Sequence, residues 1–309
     1  MASVAVGTGF FNTNHHQLNF MKKILKPFYY FVYNIFIDSH LVAKGTPNVP
    51  LLTKFWRSFR YRMGGNFNVY LSKNEKKIAS FHNIHKGKRC VIIGNGPSLN
   101  KLDLTKLKNE ITFGVNAIYT NMDNMGFLPT YYVVEDIFVA EDRKDEINVM
   151  RGPEKFFGNY LRYCFEEGND VNWLNVRFRY DDYKDFPNFS KNALRQVWTG
   201  GTVSYLSLQL AYYMGFKEVY MIGFDHEYKI PESVKIQGTE IMSLDDDVNH
   251  FNKDYFGKGK RWHDPMVERM ELSYEKAKKM YEMDNRKIYN ATAGGKLEVF
   301  DRIDYHAIF

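Results

Sequence analysis

Residues Arg89-Cys90-Val91-Ile92-Ile93 run directly into Gly94-Asn95-Gly96-Pro97-Ser98-Leu99, and no other stretch constrains the fold of this chain as strongly. The first half is a short run of β-branched apolar residues, the pattern of a strand buried on both faces of a sheet. The second half is a turn, in which two glycines permit positive φ and close backbone approach, Pro97 fixes a dihedral and Ser98 adds a hydroxyl. A strand ending in such a turn is how open α/β sheets offer backbone N–H groups to phosphates at their carboxyl edge. The alternative is a tight strand-to-helix turn that binds nothing. Leu99 stands where a dinucleotide fingerprint has its third glycine, and no Gly-Lys-Ser/Thr follows, so neither a standard dinucleotide loop nor a Walker loop is expected.

The following segments repeat the α/β pattern. Leu102–Leu107 suits a short helix or turn, Ile111–Asn116 a second strand, and Leu128–Asp136 a third strand ending in Glu135 and Asp136. Polar groups at successive strand ends, Asn95, Asn116 and the two acids, would gather along one edge of the sheet. Paired acids there suit Mg²⁺ or a sugar hydroxyl, or else simply open the next helix. Residues 139–192, which carry Tyr180, Asp181, Asp182 and Tyr183, have little period and suggest a helix followed by excursions of no assigned chemistry. After Trp198-Thr199-Gly200-Gly201-Thr202, the apolar spacing of Val203, Leu206, Leu210 and Met214 predicts a helix closed by Gly215, then a strand over 218–223 and Phe224-Asp225. Thr199, Gly200 and Gly201 would aim helix N–H groups at the ligand, or serve only as a glycine-rich helix start.

Asp245-Asp246-Asp247 reads as a solvated loop. The run Gly257-Lys258-Gly259-Lys260-Arg261-Trp262-His263 reads as a mobile cationic loop that closes over phosphates and delivers His263 as a general base, or else His263 is only a helix-entry residue beside Asp264-Pro265. A helix over 266–283 and a last strand from Lys287 to the Gly294-Gly295 turn complete this part.

Composition enters chiefly at the amino terminus. Residues 1–20 read as a flexible tail, with a start at Met21 one option, and His15 and His16 have no supporting ligands. Residues 21–85 form a basic aromatic extension. Its Lys22–Ile37 run is too short to span a bilayer, which takes about 20 residues, and suits a membrane interface or a packed first helix. Aromatics set among Arg and Lys over 44–88 suit an amphipathic connecting helix, and no nucleic-acid motif accompanies them. Residues 86–309 form the expected catalytic domain. With 42 Lys and Arg against 36 Asp and Glu, the charge selects no partner class. Two cysteines, Cys90 and Cys164, support neither a disulfide framework nor a cysteine zinc site, which favours a reducing, cytoplasmic setting, and the basic aromatic extension adds the option of peripheral contact on the inner membrane face. The expected fold is α/β, a Rossmann-like open, mainly parallel sheet with helices on both faces and a helical, aromatic amino-terminal extension.

From about Lys88 to Asp304 the chain resembles the MptE-like superfamily, which includes 6-hydroxymethylpterin diphosphokinases and motility-associated nonulosonate transferases, and more distantly bacterial CMP-sialic-acid sialyltransferases. The matching pieces are Gly94–Leu99, Asn116, Thr199-Gly200-Gly201, Gly223-Phe224-Asp225, the His250–His263 loop and Asn290–Gly295. The resemblance implies a single Rossmann-like domain that takes a CMP-sugar donor and a surface-glycan acceptor, with no required cofactor and no nucleic acid; it admits a homo-oligomer. Carried over, Gly94, Asn95, Gly96, Pro97, Ser98, Asn116 and Asp225 would hold the nucleotide. Asp136, Thr199, Gly200, Gly201, Lys258 and Lys260 would hold sugar or phosphate, His263 would be the base, and Tyr228 or Tyr255 would support the leaving phosphate. The sialyltransferases place a Tyr shortly after the Asp, where this chain has His226-Glu227-Tyr228. Two alternatives accompany this reading: an MptE-like transfer of diphosphate from ATP, with Mg²⁺ on Glu135, Asp136 and Asp225, and a non-catalytic nucleotide-binding module.

Overall fold

Four consecutive residues of the first strand, Cys90 to Ile93, have no solvent exposure, so that strand needs a neighbour on each edge and a helix layer on each face. The computed structural model, which describes residues 47, 49–178, 187–229, 234–237 and 240–309, supplies both. The strands are β1 (Arg89–Ile93), β2 (Thr112–Val115), β3 (Tyr131–Val134), β4 (Glu154–Gly158), β5 (Val171–Leu174), β6 (Val176–Arg177), β7 (Val197–Trp198), β8 (Glu218–Ile222), β9 (Lys235–Gln237), β10 (Glu240–Met242), β11 (Arg261–His263), β12 (Lys287–Asn290) and β13 (Asp301–Arg302). Eight of them form one sheet in the order β13-β12-β8-β1-β2-β3-β4-β5. Every pairing in it is parallel. The fold is α/β and Rossmann-like.

From β1 the chain steps outward on one side through β2, β3, β4 and β5, then crosses to lay β8, β12 and β13 on the other. The order therefore reverses between β1 and β8, the switch point at whose carboxyl ends a crevice is expected in such sheets. β6 pairs with β7, and β9, β10 and β11 form a small antiparallel sheet.

The principal helices are α1 (Leu51–Phe67), α2 (Lys73–Ser80), α3 (Ile137–Val149), α4 (Val203–Tyr213) and α5 (Val267–Glu282). Every residue of α4 is buried. Its polar members are satisfied locally: Gln209 accepts from the backbone N–H of Ser190 and Trp198 and donates to Trp198 O, and Ser204 Oγ meets Tyr274 Oη at 2.6 Å. α1 and α2 close the β5 side of the sheet. Asn74 accepts from the Trp173 N–H at 2.8 Å and donates to its carbonyl at 2.9 Å, occupying backbone groups that an edge strand leaves open. Tyr61, fully buried, donates to the same carbonyl at 2.6 Å.

Several expectations change. β4 and β5 arise in the stretch without clear period, β13 lies beyond the strand expected to be last, and Arg261–His263 is a strand of a small sheet. Lys22–Ile37, His15, His16 and Tyr180–Tyr183 lie outside the described residues.

Gly94 and Gly96 are not at positive φ; Gly223 is, at 73°. The first two are small because the turns after β1 and β8 touch. A Cβ on Gly94 would collide with the Gly223 carbonyl, and one on Gly96 with the Asp225 carboxylate. Gly94→Ala is accordingly expected to lower unfolding stability by about 1–3 kcal/mol, measured by urea titration. An unchanged midpoint would mean that the two turns are not in contact.

Candidate functional site

A cavity of about 670 Å³ occupies the crevice at the carboxyl ends of β1 and β8. Asn95 and Asn116 line it from the ends of β1 and β2, Glu135 and Asp136 from the end of β3, Asp225 from the end of β8, and His263 from β11. The strand ends thus converge as the polar pattern predicted.

The glycine turn works differently from expectation. Gly94 N–H donates to Ile222 O at 2.8 Å and Gly96 N–H to Gly223 O at 2.9 Å. Ser98 donates to the Asp225 carboxylate through its N–H at 3.2 Å and its hydroxyl at 2.6 Å. These donors fasten two loops together instead of facing a phosphate. The polar atoms left facing the cavity here belong to side chains. Asn95 Nδ2 donates to Val115 O at 3.2 Å, which fixes the amide, while its Oδ1 and that of Asn116 are buried without a partner. An orphaned buried acceptor costs about 1–3 kcal/mol, which a donor group on a ligand would offset.

The third strand end builds a dyad. Asp136 is the N-cap of α3, accepting from Val139 N–H at 3.0 Å through Oδ1, while Oδ2 lies 2.9 Å from His263 Nδ1. Because a carboxylate can only accept, Nδ1 carries the hydrogen that faces Asp136, and in the neutral ring the lone pair is then on Nε2. The same helix face holds β11. The His263 ring stacks on Phe138 with centroids 4.3 Å apart, and Arg261 bonds Glu141 and Asp142, each at 2.9 Å, with its guanidinium 4.6 Å over the Phe138 ring. Phe138, Glu141 and Asp142 share a face by the i, i+3, i+4 rule.

Glu135 takes the opposite role from its neighbour. Its backbone carbonyl accepts from the Tyr160 hydroxyl, and its half-buried side chain lines the cavity. Withdrawal from solvent, then the adjacent Asp136 charge, pushes this carboxyl up to about 8 from its ordinary 4.5.

Of the remaining candidates, Gly94, Gly96, Gly201, Tyr228 and Tyr255 line the cavity, whereas Pro97, Ser98, Thr199, Gly200, Lys258 and Lys260 do not. Thr199 is buried, bonding Arg177 O through both N–H and hydroxyl, and Gly200 lies where a Cβ would strike Tyr205 and Ser273. Lys258 is an exposed turn residue, and Lys260 Nζ points to Asp142 O at 3.5 Å. The cationic strip therefore braces β11 on α3. Tyr255 is buried, stacked on His250 at 4.0 Å, with its hydroxyl oxygen accepting from Ala117 N–H at 3.5 Å, and burial pushes its ionisation up. Asp247 is not solvated: it accepts from Asn249 N–H, Phe256 N–H and His250 Nδ1.

Arg269 lines the cavity from α5 and packs against Gly201 beside the α4 N-terminus. In the sequence it is one charge on an amphipathic helix, with nothing to mark it. His226 also lines the cavity, its Nε2 3.2 Å from Glu271 Oε1, and burial lowers its pKa. Among the described residues no three His, Cys, Asp or Glu side chains cluster to hold a metal ion.

The family model described as 6-hydroxymethylpterin diphosphokinase MptE-like matches residues 66–231, more than half of the chain, beginning inside α1. The solved structure of MAf glycosyltransferase from Magnetospirillum magneticum AMB-1 is similar at 16% identity and a TM-score of 0.41, over 83% of this chain. This chain spans 42% of that protein's length. No curated protein matches the sequence.

Glu135 makes stability depend on pH. The folded chain holds this proton until about pH 8, whereas the unfolded chain releases it near 4.5, so stability is full below 4.5 and falls as pH rises through 8. Glu135→Gln should therefore raise the melting temperature at high pH and leave it nearly unchanged at low pH, as read by calorimetry. An equal effect at both ends would mean that the carboxyl is not held neutral.

Proposed function

This chain belongs to the MptE-like family, and from that premise we propose that it is a glycosyltransferase using a nucleotide-activated sugar, CMP-linked sialic acid or another nonulosonate, to modify a surface glycan. The observation that carries the reading is the Asp136–His263 dyad on the same cavity as the partnerless Asn95 and Asn116 amide oxygens.

Those oxygens suit the amino or hydroxyl donors of a nucleoside, and a cavity of about 670 Å³ suits a nucleotide-sized ligand. The reaction is a direct displacement at the anomeric carbon. The acceptor hydroxyl passes its proton to Nε2 of His263 as its oxygen bonds that carbon, and the bond from the carbon to the donor phosphate breaks with its electron pair leaving on CMP. Asp136 stabilises the imidazolium that forms. Charge growing on the phosphate is met by the α4 N-terminus at Gly201-Thr202 and by Arg269. These two replace Lys258 and Lys260 in that role. Tyr228 lines the same cavity and remains the tyrosine for the leaving group, while Tyr255 supports Asn116 and His250 from beneath.

Diphosphate transfer from ATP would ask Glu135, Asp136 and Asp225 to hold Mg²⁺. Asp136 is already engaged by Val139 and His263 and Asp225 by Ser98, which weighs towards the sugar transferase. Thermal-shift measurements with CMP in EDTA and with Mg-ATP separate the readings. Stabilisation by CMP is expected; stabilisation by Mg-ATP alone would overturn the proposal in favour of the kinase, and no shift with either would overturn it outright, while stabilisation by CMP with no turnover of any CMP-sugar would favour a non-catalytic nucleotide-binding module.

Two substitutions test the dyad through CMP release from a CMP-sugar. His263→Ala should lower kcat by about 10²–10⁴-fold while CMP affinity stays within about twofold. Asp136→Asn preserves the helix cap, since Asn caps as well as Asp, yet should lower kcat at least about tenfold. Turnover retained in both variants would remove His263 as the base.

A further inference from the structure

Helix α1 packs the wrong way round. The face turned to the protein carries Lys54, Ser58 and Tyr61, all buried, and Gly64 and Gly65 lie against Leu194 and Arg195. The outward face carries Leu52, Phe55, Trp56 and Phe59, exposed by 82%, 39%, 50% and 39%. Their spacing of i, i+3, i+4 and i+7 makes one continuous stripe. Trp56 and Phe59 stack at 5.6 Å, so the stripe is organised as a surface. A helix that served only to cover β5 would place these apolar side chains inward.

Charge identifies the occupant. The helix holds Lys54, Arg57, Arg60 and Arg62 and no carboxylate. The first 67 residues hold eight Lys and Arg against one acidic residue, Asp38, while the remainder holds 34 against 35. All of the chain's excess positive charge therefore lies at this end. A second copy of the chain would bring like charge against like charge, whereas anionic headgroups complement it and the acyl boundary takes Leu, Phe and Trp. Among the described residues no helix is long and apolar enough to cross a membrane, so α1 would lie along the surface.

We propose that the exposed face of α1 docks this protein on a bilayer surface rich in anionic lipid. The helix axis lies in the interface plane, with Leu52, Trp56 and Phe59 at the headgroup boundary and Arg60 and Arg62, the basic residues to either side of that stripe, at its flanks. This reading is independent of the chemistry in the cavity.

The test is co-sedimentation of the full chain with vesicles of phosphatidylcholine plus phosphatidylglycerol and with phosphatidylcholine alone. Binding to the mixed vesicles should exceed binding to the neutral ones by about tenfold or more and should fall as salt rises from about 0.1 M to 1 M, which shrinks the screening length from about 10 Å to 3 Å. The doubles Leu52→Glu/Trp56→Glu and Leu52→Ser/Trp56→Ser should lose at least about tenfold in partitioning. Their melting temperatures should stay unchanged, because both side chains lie on the surface. No binding by the wild-type chain, or undiminished binding by both folded variants, would overturn the proposal. So would a wild-type dimer that these substitutions dissociate without any vesicle binding, which would assign the face to a second copy, or tighter salt-sensitive binding to a DNA duplex than to vesicles.

Discussion

The contact on which the rest depends is backbone against backbone, where the turn after β1 meets the turn after β8. Their strands are neighbours in the sheet but lead to opposite halves of it, so without that contact the two loops would part as they leave the sheet. Gly94 and Gly96 carry no side chain because Gly223 and Asp225 occupy that space, and the N–H groups of both glycines donate across the gap. Asp225 closes the seam by accepting from Ser98. Closing the seam uses the very donors that a phosphate cradle would need. What faces the cavity there is instead the Asn95 and Asn116 side chains and the α4 N-terminus at Gly201-Thr202.

A second constraint operates at α3. One carboxylate, Asp136, begins the helix and grips His263, and the next turn of the same helix grips Arg261. The histidine comes from a small sheet far along the chain, yet its ring is held by the helix that follows β3. The position of the imidazole is therefore set by the parent sheet and not by the conformation of a free loop.

The parts of this arrangement that were legible in the sequence are those governed by uninterrupted apolar runs. β1, β3 and β8 hold such runs, β2 and β12 are shorter and mixed, and the polar residues at the ends of β1, β2, β3 and β8 do meet at one rim. β4 and β5 were hidden because buried polar residues break their pattern. Lys155 is buried within β4, donating to Met150 O at 2.6 Å and pairing with Asp170 at 3.1 Å, and Asn172 is buried within β5, bonding Lys155 O. Such residues look like loop until their partners are known. The role of Gly94 and Gly96 was misjudged for a related reason: a glycine that admits a ligand and a glycine that admits another strand's turn read alike. Arg269 and the inverted face of α1 depend on which side of a helix meets the protein, which periodicity alone leaves open.

The electrostatics of the cavity follow from how each carboxylate is occupied. Under the proposed function, an anionic donor enters a space bordered by five carboxylates, Glu135, Asp136, Asp225, Glu227 and the exposed Asp264. Left bare, they would repel it. Four of them are engaged, each by a different means. Asp136 faces the Nδ1 hydrogen of His263, Asp225 takes the hydroxyl and N–H of Ser98, Glu227 pairs with Lys296 at 2.8 Å, and Glu135 keeps its proton because its site withdraws it from water beside Asp136. The positive end of α4 and Arg269 add positive potential on the same wall of the cavity. The proposed anionic donor therefore depends on where its charge lies in this cavity, against Arg269 and the α4 N-terminus and away from the carboxylates, more than on the composition of the lining.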